Sequence, residues 1–196
     1  FSLLICEDMW FSDVSETALE SGADILVVLN GSPYEIEKNN SRLSHAIARV
    51  SETKKPLIYI NQIGGQDELV FDGGSFVLNA DRGLVVQASW WKEVLTYTNW
   101  AKSSNGWFCK TSSLSKDLLK LENIYNAMVL GLKDYVSKNR FPGVVIGLSG
   151  GIDSALTAAV AVDALGSENV LCVMMPSPYT SNESIEDAIL LAKNFN

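Results

Sequence analysis

"GVVIGLSGGIDSALTAAV", residues 143–160, is the stretch that decides the fold. A β-branched run, Val144, Val145 and Ile146, feeds a glycine-rich turn that opens onto an alanine-rich helical pattern. In such a unit the backbone N–H groups of the turn and the helix N-terminus converge on one point, which holds phosphate without a lysine. A Walker A loop is excluded, because no lysine lies between Gly143 and Asn169. A lone Gly-Gly after a strand is as well read as a turn capping a core helix. Here, however, Ser149 and Ser154 offer hydroxyl donors, and Gly150 and Gly151 allow close backbone approach. Asp153 adds an oxygen ligand of the kind Mg²⁺ takes beside nucleotide phosphates.

Downstream, "ENVLCVMMPSPYTSNESIEDA" (168–188) reads as a second parallel strand, a Ser/Thr-rich turn and a capped helix, as a doubly wound nucleotide fold requires. Residues 173–175 are then expected against adenine, with Cys172 as packing. Upstream, residues 114–140 predict a long helix with Leu118, Leu121, Ile124, Tyr125, Met128, Leu132 and Val136 on one face, stopped by "FPG".

The first half of the chain is also α/β. "LLIC" (3–6) and "DILVVLN" (24–30) are strand runs, with a helix between them that Ser12 or Asp13 caps and Gly22 ends. "GSPY" is a loop, residues 35–54 a helix, and "LIYIN" (57–61) the next strand. From Gly64 the runs "ELVF", "SFVLN" and "GLVVQAS" are separated by "DGG" and "DRG", which are hairpin turn signals. Residues 89–112 hold four of the five tryptophans without a period, and read as a surface between domains. The expected organisation is a first domain over 1–100, a linker over 101–114 and a second domain over 115–196.

Composition narrows the classes. The 196 residues are 47% hydrophobic and carry a net charge of −8, so no broad basic footprint for nucleic acid exists. No apolar run reaches the roughly 20 residues that a bilayer span needs, and no membrane partner is expected. The three cysteines form no CxxC, which fits reduced thiols in a cytoplasmic protein. With His45 the single histidine, structural zinc is not expected.

The loop at Ser149–Ser154 resembles the SGGxDS loop of the ATP pyrophosphatase family. That resemblance implies cleavage between the α and β phosphates of ATP, adenylation of a substrate oxygen, and displacement of AMP by a nucleophile, often ammonia. In "LLICEDMW" (3–10), Cys6 taken alone reads as core packing. Yet "ICEDMWF", "SGADILVVLNGSPY" and "NQIGGQDELVFDGGSFVLNADRG" fall in the order and spacing of the second half of the nitrilase, or carbon–nitrogen hydrolase, family. The resemblance makes Cys6 the nucleophile on an amide carbon, with the glutamate base and the lysine expected before Phe1. The "NGSPY" loop and Lys38 resemble a glutamine-binding segment, which makes Ser32 and Lys38 the contacts to glutamine's α-groups and Arg42 a weaker alternative. His45 has no part in the triad described.

Together the two halves resemble the family of glutamine-dependent NAD⁺ synthetases. The implied fold class is α/β: the C-terminal half of a nitrilase-like α-β-β-α sandwich, followed by the start of a doubly wound parallel-sheet domain. The implied substrates are glutamine, deamido-NAD⁺ and ATP with Mg²⁺, in a homo-oligomer whose synthetase domain continues past Asn196. ATP would be held by Gly147, Leu148, Ser149, Gly150, Gly151, Ile152, Asp153 and Ser154, with Asp153 on the metal. A nitrilase-type amidase with a regulatory nucleotide-binding domain, and a catalytically silent interaction fragment, are the alternatives.

Overall fold

The computed structural model describes residues 1–195, and its contacts divide them into two compact units. The first comprises Phe1–Gly64 and Leu69–Glu122, and the second Gly65–Glu68 with the chain from Asn123 onward.

In the first unit, strand β1 (Ser2–Ile5) runs into a 3₁₀ turn (Cys6–Trp10) and helix α1 (Ser12–Glu20). Phe11 occupies the N-cap without a side-chain bond, so neither Ser12 nor Asp13 caps, whereas Gly22 ends the helix at φ 84° as expected. Strand β2 (Leu26–Asn30) leads to α2 (Lys38–Thr53), three residues shorter at its start than the sequence pattern suggested, and then to β3 (Leu57–Asn61). These strands are parallel and in order, with Ile5 opposite Leu29 and Asn30 opposite Asn61.

Strands β4 (Ile63–Gln66) and β5 (Leu69–Asp72) form a hairpin, and β6 (Phe76–Leu78) and β7 (Leu84–Gln87) continue the main sheet antiparallel. The two glycine turns therefore differ. "DRG" closes the β6–β7 hairpin, with Arg82 at φ 72°, while "DGG" carries the chain from one sheet to another and joins no paired strands. Gly74 is at φ 63°, where a Cβ would lie 1.9 Å from the Trp90 ring, so the crossover tolerates glycine alone.

Residues 101–114, expected as the linker, carry regular structure. Strands β8 (Trp100–Ser103) and β9 (Gly106–Cys109) pair as a hairpin, and β10 (Ser113–Leu114) adds to β7 in parallel. The turn is Ser104–Asn105, and Gly106 opens β9 at φ 103°, so the Asn-Gly step in "SSNGW" is a hairpin signal that outweighs the polar composition. The tryptophans pack locally: Trp90 lies against Gly74, Trp91 edge-on to Tyr34, and Trp107 beneath Lys102.

Leu4, Leu26, Leu57 and Tyr59 from the strands meet Ala18 of α1 and Ala46 and Val50 of α2 in the core. Burial of each leucine contributes about 1.5–3 kcal/mol, which fixes the carboxyl ends of the three parallel strands at one edge.

In the second unit α3 (Lys120–Lys138) precedes β11 (Val144–Gly147), α4 (Ile152–Leu165), β12 (Val170–Val173) and α5 (Asn182–Phe195). Strands β11 and β12 are parallel, and Leu148, Ala158 and Ala188 form the core beneath them.

Candidate active site

Cys6 begins the 3₁₀ turn at the carboxyl end of β1, with φ 52°, a left-handed conformation rare for a side chain with a Cβ. The turn is closed by the Ile5 N–H, which donates to Asp8 Oδ2 at 2.8 Å. A cavity of about 60 Å³ at this edge is lined by Cys6, Ser32 and Lys38, and also by Asn30, Arg42, His45 and Tyr59. The three residues singled out in the sequence thus surround one cavity, although they come from the 3₁₀ turn after β1, a loop and α2.

Ser32 is held from two sides. Its N–H donates to Asn61 Oδ1 at 2.9 Å, and its carbonyl accepts from Asn61 Nδ2 at 3.1 Å and Arg42 Nη2 at 2.8 Å. Its hydroxyl oxygen accepts from Arg42 Nε at 3.0 Å. Arg42 also donates through Nη2 to the Pro33 carbonyl at 3.0 Å, and through Nη1 to both oxygens of Asp72 at 2.9 Å.

These bonds engage all five N–H groups of the guanidinium. Arg42 is 4% exposed and Asp72 3%, so the pair is desolvated, a cost offset only by such complete bonding. Arg42 therefore shapes the Ser32 turn and has no donor left over for a ligand, which removes it as the alternative to Lys38. Lys38 sits half-buried at the first position of α2, its Nζ 2.9 Å from Glu35 Oε1.

Tyr59 is buried among these groups, and its phenol is pushed up from its ordinary value by that burial, with Arg42 and a hydrogen bond to Ser32 pulling the other way. His45 stacks on Trp10 with ring centres 5.7 Å apart, forming one wall. Asn30, Asn61, Asp72 and Tyr59 were not anticipated as site residues. One signal could have found the two asparagines: both "DILVVLN" and "LIYIN" end in Asn, a polar residue at the carboxyl end of a parallel strand, where α/β sites gather.

In the second unit Gly147–Ser154 runs from the last residue of β11 through a turn into the first residues of α4. Gly150 is at φ 82°, and a Cβ there would lie 2.3 Å from the Ser184 carbonyl oxygen, so only glycine fits against the start of α5. The Ser154 hydroxyl donates to the Gly151 carbonyl at 2.9 Å and lies 3.1 Å from Ser149 Oγ, while the Gly151 N–H donates to Ser149 Oγ at 3.3 Å. The two serines thus hold the turn open at the helix N-terminus.

Leu148 packs into the core beneath, and Ile152 and Asp153 are exposed in the first turn of α4. A cavity of about 190 Å³ beside the loop is lined by Gly147, Ser149, Met174, Met175, Thr180 and Ser184. Among the described residues no three His, Cys, Asp or Glu side chains gather to hold a metal. Asp153, a single exposed carboxylate, fits Mg²⁺ bound chiefly through nucleotide phosphates, which takes one or two protein carboxylates.

Residues 1–102 match the carbon–nitrogen hydrolase family model, and residues 124–196 match the NAD synthase model. The chain is 47% identical over 189 residues to the glutamine-dependent NAD(+) synthetase of Rhodobacter capsulatus, covering 96% of this chain and 34% of that protein. It is 41% identical over 188 residues to the enzyme of the same name from Acinetobacter baylyi, covering 96% and 34%. The solved structure of the glutamine-dependent NAD⁺ synthetase from Acinetobacter baumannii in complex with adenosine diphosphate superposes with a TM-score of 0.89 at 41% identity, covering 98% of this chain and 36% of that one. The chain spans about a third of the length of the curated relatives it matches. The carbon–nitrogen hydrolase model takes in more than half of the residues, and the chain belongs to the carbon–nitrogen hydrolase family.

Proposed function

We propose that this chain carries parts of both reaction centres of a glutamine-dependent NAD⁺ synthetase. The observation that carries the reading is the grouping of Cys6, Ser32 and Lys38 around one cavity, in a chain that also bears the glycine-rich Gly147–Ser154 loop. Ser32 and Lys38 hold the α-groups of glutamine. The Cys6 thiolate attacks the side-chain amide carbon, with the Glu7 N–H donating to the developing oxyanion. Ammonia leaves, and water releases glutamate from the thioester.

In the second domain, expected over residues 115–196, Gly147, Leu148, Ser149, Gly150, Gly151, Ile152, Asp153 and Ser154 bind ATP. That the Acinetobacter baumannii relative was solved in complex with adenosine diphosphate supports nucleotide binding as a function. The carboxylate of deamido-NAD⁺ attacks the α-phosphorus and expels pyrophosphate, and ammonia then displaces AMP to give NAD⁺. Asp153 would hold Mg²⁺, which supplies positive charge to the phosphates, while the turn N–H groups orient them. The three free cysteines support a cytoplasmic location, and a homo-oligomer follows from the family resemblance.

The test uses the full-length polypeptide with glutamine, deamido-NAD⁺ and Mg-ATP. AMP and pyrophosphate are the expected nucleotide products; ADP, or no turnover, overturns the reading. Cys6→Ala abolishes glutamine-dependent synthesis and leaves ammonium-dependent synthesis in place. Loss of both activities in a folded variant shows that Cys6 has another role.

A further inference from the structure

Register places two asparagines beside each other at the carboxyl edge of the sheet, Asn30 on β2 and Asn61 on β3. Their side chains differ in one respect. Asn61 is bonded on both ends of its amide, to Ser32 and Asp72. Asn30 Nδ2 is shut from solvent and has no hydrogen-bond partner among the described residues.

A buried donor left unpaired costs about 1–3 kcal/mol, and native proteins keep few of them. Asn30 follows Leu29, the register partner of Ile5, just as Cys6 follows Ile5, so both residues leave the carboxyl ends of adjacent strands. It lines the same cavity as Cys6, Ser32 and Lys38. Of the nearby amide and guanidinium donors, those of Arg42 are taken by Ser32, Pro33 and Asp72, and that of Asn61 by Ser32 and Asp72.

We infer that Asn30 is a substrate-contact residue, whose side-chain N–H pairs with an acceptor oxygen of the amide substrate bound at Cys6. This rests on the glutamine reading above. An asparagine kept for packing would be satisfied by the fold, and its loss would destabilise the protein. One kept for a ligand behaves oppositely: an apolar side chain of similar size removes an unpaired donor from the free protein and an interaction from the complex.

The experiment uses the full-length chain carrying Cys6→Ala, so that glutamine binds without reacting, with and without Asn30→Leu. Glutamine affinity is measured by calorimetry and stability by thermal unfolding. Asn30→Leu is expected to weaken L-glutamine binding ~10-fold, the worth of one lost hydrogen bond, with Tm unchanged or raised. Unchanged affinity, or a lowered Tm, overturns the inference and leaves the glutamine reading standing. If the Cys6→Ala reference itself binds no glutamine, the reading fails and the inference with it. Asn30→Asp, which keeps the shape and loses the donor, is expected to bind glutamine at least as weakly as Asn30→Leu, and binding as tight as the reference overturns the assignment as well.

Discussion

Cys6 holds its side chain at φ 52°, a conformation that costs a residue with a Cβ about 1–2 kcal/mol. The backbone there suits glycine better than cysteine, and the strain aims the thiol at the cavity. Cys6→Gly is therefore expected to unfold at the same temperature as Cys6→Ala or above it, although glycine ordinarily costs stability relative to alanine. A Cys6→Gly variant that melts below Cys6→Ala shows that the elbow is unstrained. The position of Cys6 was legible, because an apolar run ends at it. The division of labour between Lys38 and Arg42 was not: it turns on Asp72, 30 residues from Arg42 and placed beside it only by the crossover at "DGG". No helical spacing reveals that all five donors of one arginine are taken.

At the scale of elements, α3 and α4 are tied by the Tyr125 hydroxyl, which donates to Asp163 Oδ2 at 2.6 Å. That bond pushes the Tyr125 phenol up to about 12, with burial adding to the effect. A phenol raised above its unfolded value stabilises the fold wherever it is protonated, so the contribution is complete below pH ~10 and lost as pH rises toward ~12. Tyr125→Phe is expected to lower the unfolding temperature modestly at pH 8, and the gap from the parent to narrow between pH 10 and 12. A gap independent of pH would mean that the hydroxyl matters for packing alone. The βαβ units were readable from apolar runs and helical periods. The β8–β9 hairpin was hidden by a Ser-rich composition whose Asn-Gly step carried the true signal, and the β4–β5 hairpin by a turn at Asp67, which adopts φ 52° without being glycine.

Over the whole molecule, the main sheet buries one face and leaves part of the other open. Leu3, Val27 and Ile58 form one row across the strands and Ile5, Leu29 and Ile60 the next, and Leu3, Ile5, Leu29 and Ile60 are exposed. Contiguous apolar surface of this kind binds hydrophobic dyes. A polypeptide of these 196 residues is expected to enhance ANS fluorescence, and Leu3→Thr with Leu29→Thr and Ile60→Thr to reduce it severalfold; fluorescence that the triple variant leaves unchanged shows the face to be covered. Near-continuous apolar strands such as "LIYIN" announced a sheet meant to be covered on both faces. Which layer covers each face is a matter of tertiary arrangement, and only the α1 and α2 side could be assigned from helices in the chain itself. The Arg42–Asp72 pair is closed off from water on both sides. Mobile ions screen charges in water over about 8 Å at physiological ionic strength, and that screening weakens pairs at the surface such as Lys55 with Asp24. It does not enter a bond shut from solvent, so the Ser32 turn keeps its shape from dilute buffer to brine.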